Sequence, residues 1–225
     1  MAHREEPRIV DLSHVIEDGM ITYQGLPGPH ICDFWTREGS AANYDDGSSF
    51  HIGRIDMVAN TGTYLDAPFH RYAAGADLAQ LDLTSLANLP GIVIRRPWQG
   101  GIATDADAFD GIEVSGKAVL VATGWDQHWR TDRYAKDHPF LTQAAAELLA
   151  AKGAALVGID SYNIDDNRVR ARPVHTILLG AGIPICEHMT NLDALPDSGF
   201  RFAAVPPKIK GMGTFAVRAY AVIAG

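Results

Sequence analysis

TQAAAELLAAKGAALVGIDS, residues Thr142–Ser161, is the stretch that decides the fold class. Thr142 is a natural helix N-cap, the alanines, leucines and glutamate behind it are strong helix formers, and Gly153 supplies the stop. The ALVGI run, residues 155–159, then has the length and apolar character of a strand buried on both faces, and it ends in the polar pair Asp160-Ser161. Upstream, AVLVA (Ala118–Ala122) and GIVIR (Gly91–Arg95) are strands of the same kind. Strand, helix and strand in this order predict a βαβ unit with parallel strands, and so a mixed α/β class.

Working outward, Val174–Leu179 reads as a short apolar helix ending at Gly180 and Gly182, and Ile183–Cys186 as a brief strand before Glu187. Two further strand-like runs, Phe200–Val205 and Phe215–Ala224, flank the loop PPKIKGMG, whose Lys208 and Lys210 solvate a turn or meet a carboxylate. Toward the N-terminus, Ile9–His14 suits a first strand. The Gly-, Pro- and acid-rich segment from Gly25 to Gly47 reads as a loop. Ile52–Val58 alternates apolar and polar residues as a strand does, with Gly53 suggesting a bulge. In TGWDQHW, Trp125 and Trp129 lie four apart, which suits a helix core better than a substrate wall.

Composition narrows the function classes. The 225 residues carry a net charge of -8, with 47 % hydrophobic and 20 % charged residues. That balance suits a globular protein and leaves no basic stripe to neutralise phosphates, so no nucleic-acid partner is expected. No apolar run reaches the ~20 residues of a membrane span, and MAHREEPRIVDLS has no apolar leader core. A cytoplasmic setting without membrane partners is the expectation. Cys32 and Cys186 form no CxxC motif and are expected as small buried thiols.

Chemistry concentrates in ANTGTYLDAPFH, Ala59–His70. Its ordinary reading is a helix start, with Asp66 as the cap and Pro68 in the first turn. In the functional reading Asp66 and His70, one turn apart, face one cleft, where a carboxylate holds a metal or orients a base and an imidazole moves protons near neutral pH. A second cluster, RPVHTILLGAGIPICEHMTNLD, brings His175, Glu187 and His188. Glu187 either pairs with an arginine such as Arg172, faces solvent, or belongs to the same site. In GIDSYNIDD, Asp160 and Ser161 follow a buried strand, where α/β sheets bind ligands, although plain turn chemistry explains them as well.

Taken together, DLSHVIEDGM, NTGTYLDAPFHR, TGWDQHW, GIDSYNID and VHTILLGAGIPICEHMTNLDAL resemble the cyclase family, which includes bacterial kynurenine formamidase and isatin hydrolase. Gly62, Thr63, Asp66, Pro68 and His70 match the family pattern His-x-Gly-Thr-His-x-Asp-x-Pro-x-His position by position. The resemblance implies an α/β fold of the swivelling β/β/α type over one domain, residues 1–225, assembled as a homodimer or homotetramer. It implies hydrolysis of an amide, lactam or lactone of a small molecule through zinc or manganese. Asp66, His175 and Glu187 then fall at metal positions, with His70 as the proton shuttle and Glu187 beside it in catalysis.

The pattern's first two histidines are replaced here by Asn60 and Tyr64. An amide and a neutral phenol are poor metal ligands, but both can bind a substrate carbonyl. Two alternatives to the metal hydrolase follow. One is a metal-independent lyase, isomerase or cyclase using Asn60, Tyr64, His70 and Glu187. The other is a non-catalytic binder of small molecules.

Overall fold

The structure, a computed structural model, describes residues 6–225; the first five residues of the stretch read above for a leader lie outside it. Its strands in chain order are β1 (Arg8–Asp11), β2 (His30–Trp35), β3 (Ile52–Asp56), β4 (Tyr64–Asp66), β5 (Leu89–Arg95), β6 (Ala103–Thr104) and β7 (Ala118–Ala122). They continue with β8 (Phe140–Leu141), β9 (Leu156–Ile159), β10 (Ile185–Glu187), β11 (Ser198–Ala203), β12 (Thr214–Ala216) and β13 (Tyr220–Ile223). The α-helices are α1 (Arg37–Ala41), α2 (Gln143–Ala151) and α3 (Pro173–Gly180). Among the described residues no helix is long and apolar enough to cross a membrane.

The stretch that opened the sequence reading folds as expected. Thr142 caps α2 by accepting from the Ala145 amide, Gly153 takes a positive φ of 72° just beyond the helix, and β9 pairs in parallel with β7. Nine strands join in the order β1-β13-β11-β5-β7-β9-β10-β4-β12, with β5, β7, β9 and β10 parallel and the flanking pairs antiparallel. The class is mixed α/β.

Strand periodicity divides the core between the two faces of this sheet. Ile92, Ile94, Val119, Val121, Val157, Ile159 and Ile185 pack with Leu149, Val174 and Leu178 of α2 and α3. Val93, Leu120, Leu65 and Cys186 face the other way, against Leu12, Phe202 and Ala219. That second face is enclosed by the sheet itself, which curls until Ser13 bridges Met189 and the Thr190 amide donates to the Leu12 carbonyl. Each fully buried aliphatic side chain contributes about 1.5–3 kcal/mol of transfer free energy, so both faces are strongly held.

Several expectations are corrected. The segment from Gly25 to Gly47, read as loop, contains β2 and α1, because β3 supplies β2 with a backbone partner that no local pattern announces. The register shift in that pair falls between Asp33 and Trp35, opposite the strand that carries Gly53, and β3 is exposed along its whole length. Phe215–Ala224 is two strands rather than one: β12 forms one edge of the sheet, while β13 lies between β1 and β11. The Trp125–His128 segment is a single 3-10 turn, with Trp125 buried against Trp98. Of the two thiols only Cys186 is fully buried.

Asp66 is also reassigned. It ends β4 rather than capping a helix, and the 3-10 turn Pro68–His70 that follows has Ala67 at its cap position with no side-chain bond. Pro68 does occupy the first turn as expected. The turn is pressed close to the chain beyond it: a Cβ on Gly213 would stand 2.5 Å from the His70 amide nitrogen. Only a glycine lets β12 begin there, which fixes His70 beside Thr214.

Candidate functional site

Cross-strand register assembles the site. In β4, Tyr64 and Asp66 are two residues apart and share the sheet face that α3 covers. Glu187 of β10 is the register partner of Tyr64, and Thr214 of β12 is the register partner of Asp66. His175 enters from the first turn of α3, and His70 from the turn after β4. Asn60, Tyr64, Asp66, His70, His175 and Glu187 line one cavity of about 330 Å³. The sequence-predicted site residues therefore converge on one place.

The two carboxylates lie at the bottom, with Asp66 0 % and Glu187 1 % exposed. Neither of the ordinary readings of Glu187 holds: it does not face solvent, and its partners are not arginines. Tyr64 Oη donates to Glu187 Oε2 at 2.7 Å and the Ile164 amide donates to Oε1 at 2.6 Å. Burial, opposed by the His175 charge and reinforced by that of Asp66, pushes the Glu187 carboxyl up to about 7. Burial, together with the negative charge of Glu187 and Asp66, raises the Tyr64 phenol well above its usual range, so it stays protonated and acts as a donor. The Asn60 side chain sits against the same hydroxyl.

His175 is surrounded by acids. Its Nδ1 lies 2.6 Å from Asp165 Oδ2, and its Nε2 lies 3.6 Å from Asp66 Oδ2 and 3.7 Å from Glu187 Oε1. Burial disfavours the imidazolium, but Glu187, Asp165 and Asp66 outweigh it and raise the group to about 10. Asp165 also accepts from the Val174 and His175 amides, so it satisfies the start of α3 while it orients the ring.

His70 is held by a hydroxyl relay. Thr214 Oγ1 donates its single hydrogen to Asp66 Oδ1 and lies 2.9 Å from His70 Nδ1. With its proton committed to Asp66, the hydroxyl accepts from His70 Nδ1–H, which leaves the lone pair of a neutral His70 on Nε2. Burial pushes the Asp66 carboxyl up, but the His175 and His70 imidazoles and the Thr214 hydroxyl together bring it below the usual carboxylate range. Its second oxygen, Oδ2, is buried without a hydrogen-bond partner.

These groups suit a divalent ion. An orphaned carboxylate oxygen and an imidazole nitrogen 3.6 Å apart have the spacing of two ligands each about 2.1 Å from one metal. One donor atom from each of Asp66, His70 and His175 lies within 4.8 Å of the others, and Glu187 flanks the group through His175. Asp165 stands behind His175 in the way that carboxylates stand behind ligand histidines in many metal sites. Tyr64 Oη, spent on Glu187, is not among the donors.

Sequence reasoning missed Asp165 and Thr214. Asp165 stood in the quoted GIDSYNIDD run, where nothing in its spacing tied it to the start of the helix that follows. Thr214 had none, being 148 residues from the carboxylate it serves. Asp160 lies elsewhere and makes no local turn bond: it accepts from the Thr123 and Gly124 amides just beyond β7, while Ser161 Oγ donates to the Pro139 carbonyl. His188 is buried behind Tyr64, with Nδ1 3.0 Å from Tyr134 Oη.

The chain resembles known proteins over most of its length. The chain is 25 % identical over 206 residues to a kynurenine formamidase of Erythrobacter litoralis, covering 92 % of this chain and 89 % of the relative. It is 28 % identical over 200 residues to that of Geobacillus thermodenitrificans, covering 88 % of each. Its fold matches the crystal structure of an isatin hydrolase bound to the product analogue thioisatinate with a TM-score of 0.83 at 22 % identity, over 98 % of this chain and 94 % of the other. It matches a potential metal-dependent hydrolase with cyclase activity with a TM-score of 0.80 at 24 % identity, over 98 % and 100 % of the two chains. The family described as "Putative cyclase" matches residues 10–166, which include Asp66 and His70. The chain belongs to the cyclase family.

Proposed function

We propose that this cyclase-family enzyme hydrolyses the C–N or C–O bond of a small amide, lactam or lactone, with His70 as its proton shuttle. The observation that carries the proposal is the Asp66–Thr214–His70 relay, which fixes one tautomer of an imidazole beside the buried acids. The kynurenine formamidase relatives support hydrolysis as the reaction, and the isatin hydrolase fold is compatible with the same chemistry.

Asp66, His175 and Glu187 would hold a divalent ion, with His70 beside them, and two carboxylates with one imidazole favour manganese as much as zinc. Such an ion supplies Lewis-acid charge at a reacting carbonyl. The protein's own groups do the rest. Asn60 hydrogen-bonds the substrate carbonyl and Tyr64 keeps Glu187 in place. His70 Nε2 takes a proton from the attacking water, while Nδ1–H stays on Thr214 and Asp66 stabilises the imidazolium that forms. The same nitrogen then returns the proton to the leaving amine or alkoxide.

A second reading dispenses with the metal. His175 as an imidazolium among Asp165, Asp66 and Glu187 is electrostatically satisfied by protein groups alone, which favours acid–base chemistry by His70 and Glu187, the latter held by Tyr64, on a substrate bound by Asn60.

Purified protein assayed on formanilides and isatin, with its metal content measured by mass spectrometry, tests both readings. Turnover lost in both His70→Ala and Glu187→Ala supports the mechanism; full activity in both refutes it. Stoichiometric manganese or zinc, with activity lost on chelation, selects the metal reading, and activity indifferent to chelation selects the second.

A further inference from the structure

Two arginines line the cavity, and among the described residues neither is paired with an acid. Arg172 and Arg71 both border it, with Arg172 half-buried and Arg71 exposed, whereas Asp66 and Glu187 are buried at the bottom. Depth thus separates the charges, with acids on the floor and cations toward the mouth.

The acids just upstream of Arg172 in the chain are already committed. Asp165 holds His175, and Asp166 holds Arg168 at 2.8 Å. Among the described residues Arg172 forms no salt bridge; its Nη1 donates to the neutral Asn167 Oδ1, and the Tyr23 hydroxyl sits against the same pair. A guanidinium has five N–H donors in a planar fork that matches a carboxylate, so most of this one's capacity is unspent. Arg71 Nε donates to Thr176 Oγ1 at 3.2 Å, which anchors a second cation on α3.

Arg172 also has unusual backbone geometry. At φ 50° and ψ 56° it occupies the left-handed region directly before Pro173, a conformation that a bulky L residue rarely adopts. Glycine would fit that backbone without strain, yet the position carries the unpaired guanidinium beside the cavity.

We infer that the substrate carries a carboxylate apart from its scissile carbonyl, and that Arg172, with the Tyr23 hydroxyl, holds it at the cavity mouth. This inference rests on the proposed hydrolysis for the word substrate, but the anion subsite stands or falls by binding alone. Arg172 is a specificity residue: it selects acids over neutral amides of the same shape and aims the scissile bond at the floor.

The test compares benzoate with benzamide by calorimetry on the full chain, and 4-formamidobenzoate with formanilide in the hydrolysis assay, for wild type, Arg172→Met and Arg172→Gly. Wild type should prefer the acid of each pair. Both variants should weaken benzoate binding roughly 10- to 100-fold, the loss expected for a charged hydrogen bond, while leaving benzamide within about threefold. Arg172→Gly relieves the left-handed backbone, so its melting temperature should not fall, which separates lost binding from lost folding. Equal effects on acid and amide, or none on either, would overturn the subsite. Arg172-dependent benzoate binding without turnover of either formanilide would uphold the subsite and refute hydrolysis of this bond class. Turnover of 4-formamidobenzoate indifferent to both substitutions would do the reverse.

Discussion

Tyr64 and Glu187 face each other across β4 and β10 as register partners, and the phenol donates to the carboxylate at 2.7 Å in a fully buried pair. Tyr64 stands where the family pattern has a histidine. In this chain it serves as a donor that keeps a buried acid in place.

Tyr64→Phe tests that role. It removes the donor while preserving the ring, leaving Glu187 Oε2 buried without this bond. The cost should be about 1–3 kcal/mol, read from chemical denaturation. It should also raise the Glu187 pKa further above about 7, because the lost bond favoured the carboxylate. Unchanged stability would mean that the hydroxyl does not bear on Glu187.

Thr214→Val keeps the shape of the side chain and deletes the hydroxyl between Asp66 and His70. The imidazole would lose its fixed tautomer, so kcat should fall about 10- to 100-fold with a small change in KM, as for a positioning residue. Thr214→Ser retains the hydroxyl and should restore most of the activity. Equal loss in both variants would show that packing, not the relay, matters.

Asp165→Asn replaces the acid behind His175 with an isosteric amide. Removing such a carboxylate should weaken manganese or zinc binding about 10- to 100-fold, measured by competition with a chelator. In metal-free protein it should lower the His175 pKa from about 10, because one of three supporting acids is gone. Proton resonances of the imidazole, followed through a pH titration, would report that change.

Acid sensitivity should come in part from His188, which burial, reinforced by His14 and His138, pushes down to about 3. The unfolded ring titrates near 6.5 and so binds a proton that the folded ring refuses. His188 therefore contributes stability that is present above pH 6.5 and is lost progressively as pH falls toward about 3. Asn tolerates the positive φ of 54° at this position. His188→Asn should flatten the fall in unfolding free energy between pH 6.5 and 4, and an unchanged slope would assign the acid sensitivity elsewhere.

Local patterns made the strands and helices of the central layer legible. Thr142, Gly153 and the apolar runs around them carry their own propensities, and a buried parallel strand needs no partner to be recognised as apolar. The hairpin of β2 and β3 was only half legible: β2 is a strand through its backbone pairing with β3, and its residues include Asp33 and Trp35. Asp66 shows the same limit, since an Asp before Pro looks like a helix cap until two neighbouring strands claim it.

By itself the sequence determined the α/β class, the parallel βαβ unit and most of the chemistry-bearing residues, because 3.6- and 2-residue periodicities and a spaced motif are local information. Only the tertiary structure decided how those residues act. Register set Thr214 against Asp66 and Glu187 against Tyr64, α3 carried His175 with Asp165 behind it, and the fold brought Arg172 to the cavity with no salt-bridge partner among the described residues. Such relationships arise from strand pairing and desolvation between residues far apart in the chain, and no spacing along the sequence encodes them.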